Sequence, residues 1–283
     1  MTKIYLPVLN QPKSISYHYQ TADPFIANLL FLGTLFRALP YFPQVYVKKT
    51  LLSQKLQSLL ISPTKLLFTQ PKTSNFHTIT ISSRPNPKAD LISTISINQS
   101  NSESKIISIT GNGKGKTTLG LGLILFNYLN QSQITSYHFF KDPQFATGIS
   151  EFNFPKFLIF PFVMHSQSTG FLLPHTYKDQ IHKHQQSTQR FLASIKKSIT
   201  SKKYDFILLD EAIDALIADL INQSDIKNLI SLAKQNNAHL VLTGRYTNLG
   251  QFNISNFFDT KIKVKKIKHP YDQGSLAING LDF

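Results

Sequence analysis

The sequence predicts an α/β fold in which a mostly parallel sheet is covered by helices on both faces, with an additional N-terminal α+β region ahead of it. Three observations predict it. The segment Thr110-Gly-Asn-Gly-Lys-Gly-Lys-Thr-Thr118 joins an apolar strand-like run (Ile106, Ile107, Ile109) to an apolar helix-like run from Leu119 to Leu129. About ninety residues later, Tyr204-Asp-Phe-Ile-Leu-Leu-Asp-Glu211 reads as an apolar strand ending in two adjacent carboxylates. From Lys105 onward, strand-like and helix-like stretches alternate, as they do when crossover helices join parallel strands. The combination is that of a three-layer P-loop NTPase-like fold.

The first segment has the composition of a phosphate-binding loop. Gly111, Asn112, Gly113, Lys114, Gly115, Lys116, Thr117 and Thr118 would turn successive backbone N–H groups and a helix N-terminus toward a polyphosphate. Lys116 would reach the phosphates as a point charge, and the Thr117 hydroxyl would sit on an accompanying Mg²⁺. The generic pattern begins with Gly where this chain has Thr110. Asp210 and Glu211 end a core strand where acidic groups can stand beside the loop's metal. Either could instead cap the helix Ala212 to Leu220, since a carboxylate is stabilised at a helix N-terminus.

In chain order, Phe25, Leu29, Leu32 and Phe36 recur at helical spacing, as do Leu52, Leu56, Leu59 and Leu60, which predicts two N-terminal helices. His77 to Ser83 and Leu91 to Asn98 alternate apolar and polar around Arg84-Pro-Asn-Pro87, a strand pair joined by a turn. The polar stretch Asn98 to Ser104 sets a boundary between an N-terminal basic region, 1–100, and a nucleotide-binding domain, 101–283. Beyond the loop helix, strands are expected at Thr135 to Phe140, at Lys156 to Val163 (interrupted by Pro161) and at His239 to Thr243. Helices are expected at Tyr177 to Ile199 and near Ile226 to Gln235. In such folds ligands gather beyond the carboxyl ends of the strands, where Thr110, Asp210 and Thr243 fall.

Composition sets limits. The 283 residues are ample for a buried core, and the absence of Cys excludes disulfides, thiol nucleophiles and thiolate metal sites. Met1 to Ser14 does not read as a signal peptide. The longest uncharged apolar run, Phe25 to Phe36, is shorter than the roughly 18 residues of a spanning helix. A cytoplasmic protein without a membrane span is the expectation. The net charge of +15 is concentrated toward the start: residues 1–100 hold 10 Lys and Arg against 2 Asp and Glu. Few aromatic residues interleave with the lysines, and no nucleic-acid motif is present, which argues against nucleic acid as the specific ligand. His175, His182 and His184 read as solvated histidines, because positions two apart on a helix face differently.

Read together, the loop Thr110 to Thr118, Phe140-Lys141, Thr169-Gly-Phe171, Leu209-Asp-Glu211, Thr243-Gly-Arg245, Lys268-His-Pro270 and Gly280-Leu-Asp-Phe283 resemble, in order and spacing, the P-loop corrinoid (cobalamin) adenosyltransferases over about residues 105–283. The Thr-Gly start of the loop is that family's form. The resemblance implies transfer of the 5′-deoxyadenosyl group of ATP to the cobalt of a reduced corrinoid, cob(I)alamin, with release of triphosphate. It implies that ATP lies reversed, so that the loop grips the departing end. Lys116 and the amides of Gly111 to Thr117 would stabilise the leaving group, and Lys116 and Glu211 are the catalytic candidates. Thr117 and Glu211, with Asp210 as a further candidate, would hold Mg²⁺. Arg245 would bind phosphate or pair with a nearby acid. Phe171 would lie under the corrin ring or serve as a core residue, and His269 would brace the tail. The partners implied are ATP and the corrinoid, with a homodimer and a corrinoid reductase as further candidates. Three positions depart from the family: Asp142 stands where Gly follows Phe-Lys, Leu173 where Trp is common, and Lys263 where an acid is expected. These departures keep open an alternative, an ATP-binding regulatory or nucleic-acid-associated P-loop protein that has lost corrinoid chemistry.

Overall fold

The computed structural model describes residues 2–7, 16–21, 23–39, 44–47, 49–60, 65–68, 76–83, 104–141, 152–159, 162–167, 177–245 and 249–265. Its centre is a six-stranded, all-parallel sheet. The strands are β6 (Ile106–Thr110), β7 (Ile134–His138), β8 (Val163–Ser166), β9 (Phe206–Asp210), β10 (His239–Gly244) and β11 (Thr260–Lys263), in the order β11-β6-β10-β9-β7-β8. Each inner strand is buried on both faces, and the pleat sends alternate side chains to opposite sides. Ile107, Ile109, Phe206, Leu208 and Val241 join one buried cluster, while Ile106, Ile207, Leu209, Leu240 and Leu242 join the other. Helix α3 (Lys116–Leu129) covers the first face. On the second lie α4 (Tyr177–Thr200), α5 (Ala212–Ile217) and α6 (Gln223–Gln235), which supply Phe191, Ile195, Ala215, Leu216, Leu229 and Ile230. This is the α/β fold with a P-loop NTPase-like sheet that the sequence predicts.

The N-terminal region is α+β. A five-stranded sheet has the order β2-β5-β1-β3-β4, from β1 (Thr2–Pro7), β2 (Ser16–Thr21), β3 (Gln44–Val47), β4 (Lys65–Leu67) and β5 (Phe76–Ser83). Helix α1 (Pro24–Ala38) starts under Asp23, whose carboxylate accepts from the Phe25 N–H at 2.7 Å, with proline in the first turn. It packs on α3, so Ile4, Leu29, Leu32 and Leu35 belong to the same buried cluster as Leu121, Ile124 and Leu208. Helix α2 (Leu51–Gln57) opens on a Thr50–Ser53 capping box.

Two expectations are corrected. The strand expected over 156–163 begins only at Val163: Phe154–Phe157 forms a 3₁₀ turn led by Pro155, and β8 runs Val163–Ser166. His184 is not solvated; it is 2% exposed, on the face of α4 that meets Gln167, whereas His182 is exposed. The strand expected at 91–98 lies outside the described residues, as do residues 98–103 of the expected boundary. Among the described residues, no helix is long and apolar enough to cross a membrane.

Candidate nucleotide site

The loop between β6 and α3 has the backbone its sequence demands. Gly111 (φ 128°) and Gly115 (φ 114°) occupy left-handed conformations that favour glycine. Gly115 is the N-cap residue of α3 and makes no side-chain cap bond, so the first N–H groups of the helix face the loop's concave side without a side-chain acceptor of their own. On one flank the loop meets the chain leaving β11: the Gly113 N–H donates to the Val264 carbonyl at 3.0 Å, and the Val264 N–H donates to the Thr110 carbonyl at 2.7 Å. Lys116 donates from Nζ to the Gly113 carbonyl at 2.7 Å, which closes the loop around its own lysine. Burial lowers the Lys116 pKa, with Arg245 adding to the effect while Asp214, Asp210 and Glu211 oppose it.

Beside the loop, Asp210 is the hub of a buried network. Parallel register brings the strand ends together, with His138 opposite Asp210 and Gly244 opposite Thr110. One carboxylate oxygen, Oδ1, accepts from the Thr243 hydroxyl at 2.6 Å and the Thr117 hydroxyl at 3.2 Å. The other accepts from Lys141 Nζ at 2.7 Å and lies 3.2 Å from His138 Nδ1. Burial alone would raise the Asp210 pKa; the ammonium of Lys141 and the imidazole of His138 outweigh it and hold the carboxyl below the ordinary carboxylate range. The next residue behaves in the opposite way. Glu211 sits at φ 62° ahead of α5 without capping it by a side-chain bond, and its N–H donates to Thr243 Oγ1 at 2.9 Å. Burial, reinforced by Asp210 and Asp214, pushes its carboxyl up to about 7. A left-handed non-glycine residue at this point is local strain of the kind found at ligand sites.

Of the residues singled out from sequence, Gly111 to Thr118, Asp210 and Glu211 come together at the carboxyl ends of β6 and β9. Arg245 is exposed at the end of β10, and its backbone N–H donates to Asp214 at 3.2 Å. Lys263 ends β11 opposite Thr110 and is exposed. Phe171, Asp142, Leu173, His269 and the 280–283 tail lie outside the described residues. Sequence reading missed His138, Lys141 and Asp214 as partners of the acidic pair and of Arg245, and it placed Thr243 at this edge without giving it a partner. The available signal was position: polar residues at the carboxyl ends of otherwise apolar parallel strands stand side by side.

Fold and loop together define the class, a P-loop NTPase-like α/β protein. Residues 102–283 match the family model described as ATP:corrinoid adenosyltransferase BtuR/CobO/CobP, and the chain belongs to that family. It is similar to a corrinoid adenosyltransferase of a Sinorhizobium species, 27% identical over 182 residues, which span 63% of this chain and 79% of that relative. A solved structure of C. elegans PCH-2 shares 16% identity over 57% of this chain with a TM-score of 0.30. This chain spans only 35% of that one, a likeness too slight to carry an argument.

Proposed function

We propose that the protein transfers the 5′-deoxyadenosyl group of ATP to the cobalt of a reduced corrinoid and releases intact triphosphate. The observation that carries the proposal is the loop 111–118, with Lys116 in its mouth and the Asp210 network at its side, inside a segment that matches the family from 102 to 283. The nucleophile in this reaction is the reduced cobalt of the substrate, so no serine or cysteine nucleophile is required of the chain. What it must supply is position and charge. The amides of Gly111 to Thr118 and the ammonium of Lys116 hold the three phosphates and stabilise the negative charge that develops as the bond to the 5′-carbon breaks. Arg245, exposed at the same edge, adds a fork of donors for an outer phosphate.

The donor set also fits Mg²⁺. Thr117 Oγ1 and the Asp210 and Glu211 carboxylates would supply hard oxygen ligands beside the loop. Among the described residues no group of three or more His, Cys, Asp or Glu could hold a metal without help. That suits an ion shared with substrate phosphates, which takes only one or two carboxylates from the protein. When bound, Mg²⁺ would neutralise charge on the triphosphate. Thr117 and Glu211 would hold it, with Asp210 orienting the Thr117 hydroxyl.

The family match favours this reading over a regulatory or nucleic-acid-associated protein. The test is purified protein with ATP, Mg²⁺ and chemically reduced cobalamin under anoxia. Adenosylcobalamin and intact triphosphate should appear in equal amounts. ADP and phosphate formed in step with product would overturn the reversed orientation of ATP.

A further inference from the structure

The phosphate loop has a second wall, built from residues that precede the family-matched segment. Helix α1 runs antiparallel to α3, with Gly33 against Thr118 and Leu29 against Gly122. The contact is backbone on backbone. A Cβ added at Gly33 would fall 1.7 Å from the Thr118 carbonyl oxygen, and one at Gly122 would fall 2.0 Å from that of Leu29. A glycine inside a helix costs about 1 kcal/mol relative to alanine, so its presence on both touching faces answers a demand for close approach. At the loop end of this seam stands Tyr19 of β2. Its ring lies 3.2 Å from the point a Cβ on Gly115 would occupy, with Leu30 at 3.8 Å, and its hydroxyl is close enough to the Thr118 side chain to interact with it. Arg37, buried in the last turn of α1, is close enough to Lys114 to act on its charge.

Gly115 has no Cβ of its own to fix the turn, and α3 has no side-chain cap there. The shape of residues 115–118, and therefore the aim of the first helix N–H groups, is set partly by the loop's own bonds and partly by what presses on the turn from outside. We propose that Tyr19 is a positioning residue for the nucleotide site, holding the Gly115–Thr118 turn in the form that grips triphosphate. This rests on the proposed reading of the loop as the triphosphate site. The N-terminal region is then part of the binding apparatus, since a loop ordered in advance loses less entropy when the anion binds.

The test uses the full chain titrated calorimetrically with inorganic triphosphate, alongside the KM values for ATP and reduced cobalamin. Tyr19→Ala should weaken triphosphate binding and raise the ATP KM by about tenfold, the scale of one lost polar contact and the ring packing beside it, with the cobalamin KM unchanged. Tyr19→Phe, which keeps the ring, should lose only about threefold. Leu56→Ala, a buried truncation in α2 away from the loop, should lower Tm without changing triphosphate affinity. The proposal is overturned if Tyr19→Ala binds triphosphate like the wild type, or if Leu56→Ala loses as much affinity as Tyr19→Ala. Binding is read without cobalamin, so a wild type that binds triphosphate but transfers nothing would count against the proposed reaction alone.

Discussion

Lys116 folds back on the Gly113 carbonyl, a contact that a phosphate oxygen would replace. Removing it takes away a fixed charge aimed at the leaving group. Lys116→Ala should therefore slow adenosyl transfer by about a hundredfold or more, equivalent to about 3 kcal/mol; a variant within a few fold of wild type would refute its role. Two neighbouring residues carry opposite pH signatures. Burial, with the charge of Arg37, lowers Lys114 from 10.5 to about 7. Between those values the unfolded chain holds the extra proton, so this group makes stability rise as pH rises from about 7 toward 10.5. Glu211 is raised from 4.5 to about 7, so the folded chain holds the extra proton in that interval and stability falls as pH rises through it. Relative to wild type, Lys114→Met should flatten the rise of Tm above pH 7, and Glu211→Gln should flatten the fall below it. Curves of Tm against pH that stay parallel to wild type would refute both assignments.

At the level of elements, α6 offers a clean test of local encoding. Asn222 accepts from the Asp225 N–H at 2.8 Å while the Asp225 carboxylate accepts from the Asn222 N–H at 3.1 Å, a reciprocal capping box. Asn222→Ala should cost about 1 kcal/mol in urea unfolding at unchanged m-value, and an unchanged midpoint would show that the packing of Ile226 and Leu229 alone holds the helix end. Elements that announce themselves through apolar period or loop chemistry were legible: β6 and β10 lie within a residue of their sequence reading, β9 within two, and α3 begins three residues earlier than its apolar run, at Lys116. The shortfalls have physical causes. Lys156 to Val163 reads as a strand because most of its residues are apolar, yet its first two residues close the 3₁₀ turn Phe154–Phe157, with Phe154 stacked on Phe36 at 4.2 Å. β11 carries three polar residues in Thr260–Lys263 and sits at a sheet edge, so only Ile262 signals burial. In the site, loop and carboxylates were legible because their chemistry is local. His138 was not, and Thr243 was legible only as a strand end, because what makes them partners of Asp210 is strand register across the sheet.

On the scale of the whole molecule, one buried cluster runs from Ile4 and Val45 through α1 and α3 to Phe206 and Val241. A core without an internal boundary should melt as one. Urea unfolding followed by far-ultraviolet circular dichroism and by tyrosine fluorescence should give coincident single transitions, and two resolved transitions would show that the N-terminal region unfolds independently. The glycine seam between α1 and α3 has a consequence for where this chain can be cut. Residues 102–283 satisfy the family pattern, yet a fragment starting there would turn the Gly122 face of α3 to water and leave Phe126 without the edge of Phe25, 5.2 Å away. The shortest stretch recognisable by kinship and the shortest stretch able to live alone are, in this chain, different lengths.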